Sequence, residues 1–142
     1  MAKKLVSEIL NEASKIEAKQ ERVDFLKKHD GPALRDVLRI NFDLDIVSLL
    51  PEGEPPYKKD DAPIGYEYKT LHREFKQFSK FFKGPVANQL TSVRRESLFI
   101  QLLESLNAEE AELLVLVKDK KLKLRGITKK LVSDIWPTLI AK

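Results

Sequence analysis

Each long apolar stretch of this chain repeats at helical spacing, and breaker or capping residues stand between successive stretches. Apolar side chains recurring every three or four positions share one face only if the backbone coils as a helix. Residues 3–18 put Leu5, Ile9 and Ile16 on one stripe, with Val6 and Ala13 beside it. Residues 19–29 follow with Val23, Phe25 and Leu26, and place Lys27 and Lys28 where a helix C-terminus favours cations. Asp30-Gly31-Pro32 breaks the run, and Pro32 suits the first turn of a third helix over 32–42 with Leu34, Val37 and Leu38 inward.

Leu44–Leu50 reads as irregular or 3₁₀ structure. Residues 51–66 hold four prolines and two glycines and predict a long loop, either functional or a variable surface excursion. A fourth helix, 67–83, carries Leu71, Phe75, Phe78, Phe81 and Phe82 on one face and Lys69, Arg73, Lys76, Lys80 and Lys83 elsewhere, until Gly84-Pro85 ends it. A fifth, 86–106, carries Leu90, Val93, Leu98, Leu102, Leu103 and Leu106. Asn107 caps a sixth over 108–118, and Thr128 caps a seventh that runs to Ile140 and is turned by Pro137. No hairpin signature, heptad run or internal repeat interrupts this pattern. The expectation is an all-α, compact single domain spanning 1–142, with about six to seven short helices.

The absence of cysteine excludes disulfides and thiolate metal sites, and two histidines do not make a metal cluster. No apolar run approaches the roughly 18–20 residues of a membrane span, and the start of the chain is unlike a signal peptide. The expected location is cytoplasmic, the host cytoplasm if the gene is phage-borne. No phosphate-binding glycine loop, HExxH or Ser–His–Asp set occurs. The pairs Asp60-Asp61 and Glu109-Glu110 read as solvated charge and helix-dipole complement. No metal, cofactor or small-molecule substrate is expected.

Charge is where the sequence becomes specific. From Lys118 to Lys130 seven lysines and arginines face one acid, while all 142 residues net only +4. The rest of the chain is therefore slightly acidic, and the basicity is local. The candidate DNA-contacting residues are Lys118, Lys120, Lys121, Lys123, Arg125, Gly126, Thr128, Lys129 and Lys130. A basic turn leading into a helix offers ammonium, guanidinium and backbone N–H groups to phosphate oxygens. The competing readings are a solvated helix end and a surface for an acidic protein. Gly126 is either a helix stop or a point of close backbone approach, and Trp136 reads as a core anchor.

Both ends of the chain resemble the N-terminal helical DNA-binding domain of ATP-dependent DNA ligases, particularly those of tailed bacteriophages. Ile9-Leu10-Asn11-Glu12, Ile16, Leu26 and Lys28 are similar to its first helical hairpin. Leu34, Val37, Arg39-Ile40 and Phe42 look like the helix that follows. Gly126, Leu131, Trp136-Pro137 and Leu139-Ile140 have the spacing of its glycine turn and closing helix. Residues 44–106 match only in helix pattern, and Arg125 stands where that family places an apolar residue. The chain stops at Lys142, where a ligase would continue into its nucleotidyltransferase and OB domains, and it has no Lys-x-Asp-Gly. The resemblance implies a free-standing, non-catalytic module lying on the minor groove of duplex or nicked DNA, contacting backbone on either side, with replication or repair proteins as further partners. The alternative is a helical structural or adaptor protein of a virion or replication complex.

Overall fold

The computed structural model describes residues 4–58 and 69–140. Among them lie eight α-helices: α1 (Val6–Lys15), α2 (Lys19–Lys28), α3 (Pro32–Phe42), α4 (Leu71–Glu74), α5 (Pro85–Asn88), α6 (Ser92–Ser105), α7 (Ala108–Lys118) and α8 (Lys129–Ile135). A 3₁₀ helix, Phe75–Lys80, continues α4. The described residues form no sheet; their only extended pairings are isolated bridges such as Ser48 with Phe82. The all-α expectation holds. Of the expected 51–66 loop, 51–58 are irregular; residues 59–66, including Asp60-Asp61, lie outside the described residues.

The centre is α7 packed on α3, with α1 and α6 also against α7. Leu114 and Val117 on α7 and Leu34, Val37 and Leu38 on α3 are fully buried. The LLVLV run of α7 is apolar on most sides because neighbours cover most of its sides. Phe81 meets Phe99 edge to face, with ring centroids 5.2 Å apart, and so joins the end of the 3₁₀ helix to α6. Each such buried phenyl contributes roughly 1.5–3 kcal/mol of apolar transfer.

Three helices differ from expectation. The fourth is α4 followed by 3₁₀ turns, not one long α-helix. Phe75, Phe78 and Phe81 are spaced by three, and a 3₁₀ helix stacks i and i+3 side chains on one line. The fifth is two helices. Residues after α5 leave the helix, and Thr91 restarts it, its hydroxyl accepting from Arg94 N at 3.1 Å. The break resets the helical phase, so Arg95, Phe99, Leu102 and Leu103 point inward while Val93 is 76 % exposed. The seventh begins at its Thr128 cap as expected but ends at Ile135, just ahead of Trp136-Pro137.

Glu110 also departs from expectation: it is fully buried rather than solvated. Its carboxylate accepts from Ser7 N at 3.0 Å and Leu71 N at 3.2 Å. Both are first-turn amides, of α1 and α4, that no carbonyl of their own helix can reach. One side chain of α7 thus caps two other helices.

Candidate nucleic-acid interface

The basic segment begins where α7 ends. Lys120 takes a left-handed φ of 58°. Lys121 N then donates to Leu116 O at 2.9 Å and Lys120 N to Val117 O at 3.0 Å. That pair of bonds is a Schellman ending, here with lysine where glycine is usual. The chain next crosses the end of α3. There the Asn41 amide donates to Leu122 O at 3.2 Å and accepts from Leu122 N at 3.1 Å. Beyond it, Ile127 N donates to Leu124 O at 3.1 Å, closing a turn around Arg125 and Gly126. Only Gly126 of that central pair has positive φ, 77°, the pattern of a type II turn. Leu122 and Ile127 anchor the segment in the core on either side of Lys123 and Arg125.

Within this frame the nine candidate residues separate. Lys118 is buried, its side chain 1 % exposed; its ammonium donates to Pro51 O at 2.9 Å and to Asp119 at 2.7 Å. It faces the protein interior, and so the expectation of a phosphate contact is revised. Lys120 is also turned inward. Its ammonium donates to Ile40 O at 2.5 Å and Asp43 O at 2.6 Å, satisfying carbonyls at the end of α3. Burial pushes the Lys120 ammonium pKa down, with Asp43 opposing. Lys121 pairs with Glu52 at 2.6 Å on the surface, which holds its pKa up. Thr128 accepts from Leu131 N at 3.1 Å and so caps α8. Lys123, Arg125, Lys129 and Lys130 are exposed, and their side chains have no ion pair or hydrogen bond among the described residues.

Gly126 faces Arg22. A Cβ built on Gly126 would sit 2.7 Å from Nε and 2.8 Å from Nη1 of that guanidinium. Arg22 is buried and donates to Ala13 O at 3.3 Å and Ile16 O at 2.5 Å, closing the end of α1. The close approach at Gly126 is therefore to the protein's own arginine. Arg95 repeats the device: its Nη2 donates to Ala87 O and Leu90 O, each at 2.8 Å, at the end of α5. Each arginine is the fourth residue of the helix that follows the one it closes. Neither stands out in the sequence, because an arginine on a helix ordinarily reads as surface.

A second surface feature, not expected from the sequence, lies apart from the turn. A cleft of about 550 Å³ opens between residues 50–56 and α6, lined by Leu50, Pro55, Val93, Phe99 and Ile100 with Glu52, Glu54 and Glu96. No group of three metal-ligating side chains occurs among the described residues. No helix among them is long and apolar enough to cross a membrane.

A family model matches residues 9–124, and the chain belongs to that family, DUF6433, a family of unknown function. No curated protein and no solved structure matches the chain. The matched stretch takes in the helical core, the Schellman ending and the Asn41–Leu122 pairing. It stops before Arg125, Lys129 and Lys130.

Proposed function

We propose that this protein is a non-catalytic DNA-binding module that grips the phosphate backbone of duplex or nicked DNA through Lys123, Arg125, Lys129 and Lys130. The observation that carries the reading is a contrast within one segment. Lys118, Lys120 and Lys121 are engaged by oxygen acceptors of the protein, whereas these four cations project to solvent with no internal partner among the described residues. Buried anchors at Leu122 and Ile127 hold their backbone in place, which lowers the ordering cost of binding. Cations so presented bind phosphate by displacing counterions, without reading base edges. The ligase-domain resemblance supplies the choice of DNA over other polyanions.

Replacing all four by glutamine is expected to weaken binding to unrelated duplexes equally. It should also lower the log–log salt slope by about 3–4, near 0.9 for each phosphate that the variant no longer neutralises. Titrations on nicked and intact duplex at two salt concentrations measure both. Unchanged affinity in a folded variant would remove DNA from this surface. A helical adaptor of a virion or replication complex is the second reading, and it draws on the apolar cleft beside Val93.

A further inference from the structure

We propose that the cleft between residues 50–56 and α6 is a docking site for a partner-protein segment that presents apolar anchor side chains flanked by lysine or arginine. Its volume, about 550 Å³, lies within the range of roughly 300–1,000 Å³ typical of sites that enclose a ligand. The floor is Leu50 and Phe99, both buried, and the mouth is marked by Val93, a valine 76 % exposed. An exposed branched side chain beside a preformed apolar hollow gives a partner surface to cover.

The wall facing α6 is fixed before anything binds. Lys118 donates to Pro51 O at 2.9 Å, Gly53 N donates to Asp119 at 2.8 Å, and Lys121 pairs with Glu52 at 2.6 Å. Farther along, Lys58 N donates to Glu104 at 2.7 Å. Prolines 51, 55 and 56 restrict the backbone between these ties. Two cations of the basic segment thus hold the cleft wall.

Charge selects the occupant. The carboxylates of Glu52, Glu54 and Glu96 line the cleft; Glu52 is offset by Lys121 and the lining cation, Lys118, is buried and neutralised by Asp119, so Glu54 and Glu96 leave the lining acidic. The cleft is therefore an acidic, apolar hollow on a chain whose net charge is +4. A basic apolar segment meets both properties; an acidic one would place like charges together. Nothing at this site depends on the DNA reading, because none of Lys123, Arg125, Lys129 and Lys130 lines the cleft.

The test is selection of random twelve-residue peptides against the full-length protein, with each enriched peptide re-measured on the variant V93D/E96K. Both substitutions are on side chains outside the buried core. Enriched peptides should combine Leu, Ile or Phe with Lys or Arg. They should shift the NMR amide signals of Val93 and Ile100, and bind the folded variant at least tenfold more weakly. No enrichment, enrichment of acidic peptides, or undiminished binding to the variant would overturn the proposal. So would self-association of the parent that V93D/E96K abolishes, since the occupant would then be a second copy of this chain.

Discussion

Gly126 is held by two separable constraints. Its φ of 77° disfavours any Cβ, by about 1–2 kcal/mol. Independently, a Cβ there would collide with the Arg22 guanidinium, which cannot withdraw without releasing the carbonyls of Ala13 and Ile16. Gly126→Ala is therefore expected to lose more stability than the backbone term alone. In an Arg22→Ala background only that term should remain. A double-mutant cycle by urea denaturation should give a coupling within about 0.5–3 kcal/mol, whereas additive effects would mean that the guanidinium moves aside freely. The special backbone of Gly126 is legible in the sequence, because glycine before a helix start is a recognisable sign. Arg22 is not: no local pattern links a residue of α2 to a turn at the far end of the chain. Lysine count has the same blind spot. Lys118 and Lys123 look alike in sequence, and only the fold turns one toward Pro51 and leaves the other in solvent.

At the scale of the element, boundaries where a breaker or cap interrupts the apolar pattern are readable, and the one at Thr91, where the pattern runs on, is not. Gly31-Pro32 starts α3 as expected, and Gly84-Pro85, expected to end one helix, lies at the start of α5, one residue ahead of the expected 86. Thr91 starts α6 inside an apparently continuous helical pattern, since Leu90 and Val93 keep an apolar rhythm across the break. The Thr91 hydroxyl satisfies Arg94 N, and its loss leaves a first-turn amide without that acceptor. Thr91→Ala is expected to cost about 1 kcal/mol, and Thr91→Asn, which can still cap, much less. Urea midpoints compare the two, and equal losses would assign the break to Arg95 instead. Arg95 makes the junction stiff, because it stands on α6 and binds the carbonyls of Ala87 and Leu90 on the other side. That side of the cleft is thereby anchored, with Val93 in the first turn of the new helix. Arg95→Met should loosen α5 while α6 persists. Amide exchange would show it as faster exchange at Asn88, Gln89 and Leu90 with Phe99–Leu103 unaltered.

Across the whole molecule, Glu110 ties segments that lie far apart in the chain: Ser7 is 103 residues away and Leu71 is 39. Burial pushes its carboxyl pKa above the usual glutamate value of 4.5, against the opposing pull of the two amides and of nearby His72. His72 is itself positioned by its Nε2, 2.6 Å from the Lys4 carbonyl, which makes that nitrogen the protonated donor. A raised folded-state pKa means that the folded chain holds this proton more tightly than the unfolded chain does. Between the unfolded value and the raised one, unfolding releases a proton, so this group's contribution to stability falls as pH rises. It is constant below that window, where both states are protonated, and constant again above it. Asp36, raised by burial on α3, contributes with the same sign, so the Glu110 effect must be read as a difference. Glu110→Gln has no titration but turns an amide NH₂ toward one of the two backbone donors, at a cost of about 1–3 kcal/mol. The variant should be less stable than the parent throughout. Its deficit should be greatest in acid and shrink as pH climbs through the window, because the parent loses the Glu110 contribution there while both proteins share that of Asp36. Urea denaturation of both proteins from acid to neutral pH follows the deficit, and amide exchange at Ser7 and Leu71 locates it. Parallel pH profiles, or exchange unaltered at those two amides, would show that the carboxylate does not join α1 and α4 to α7.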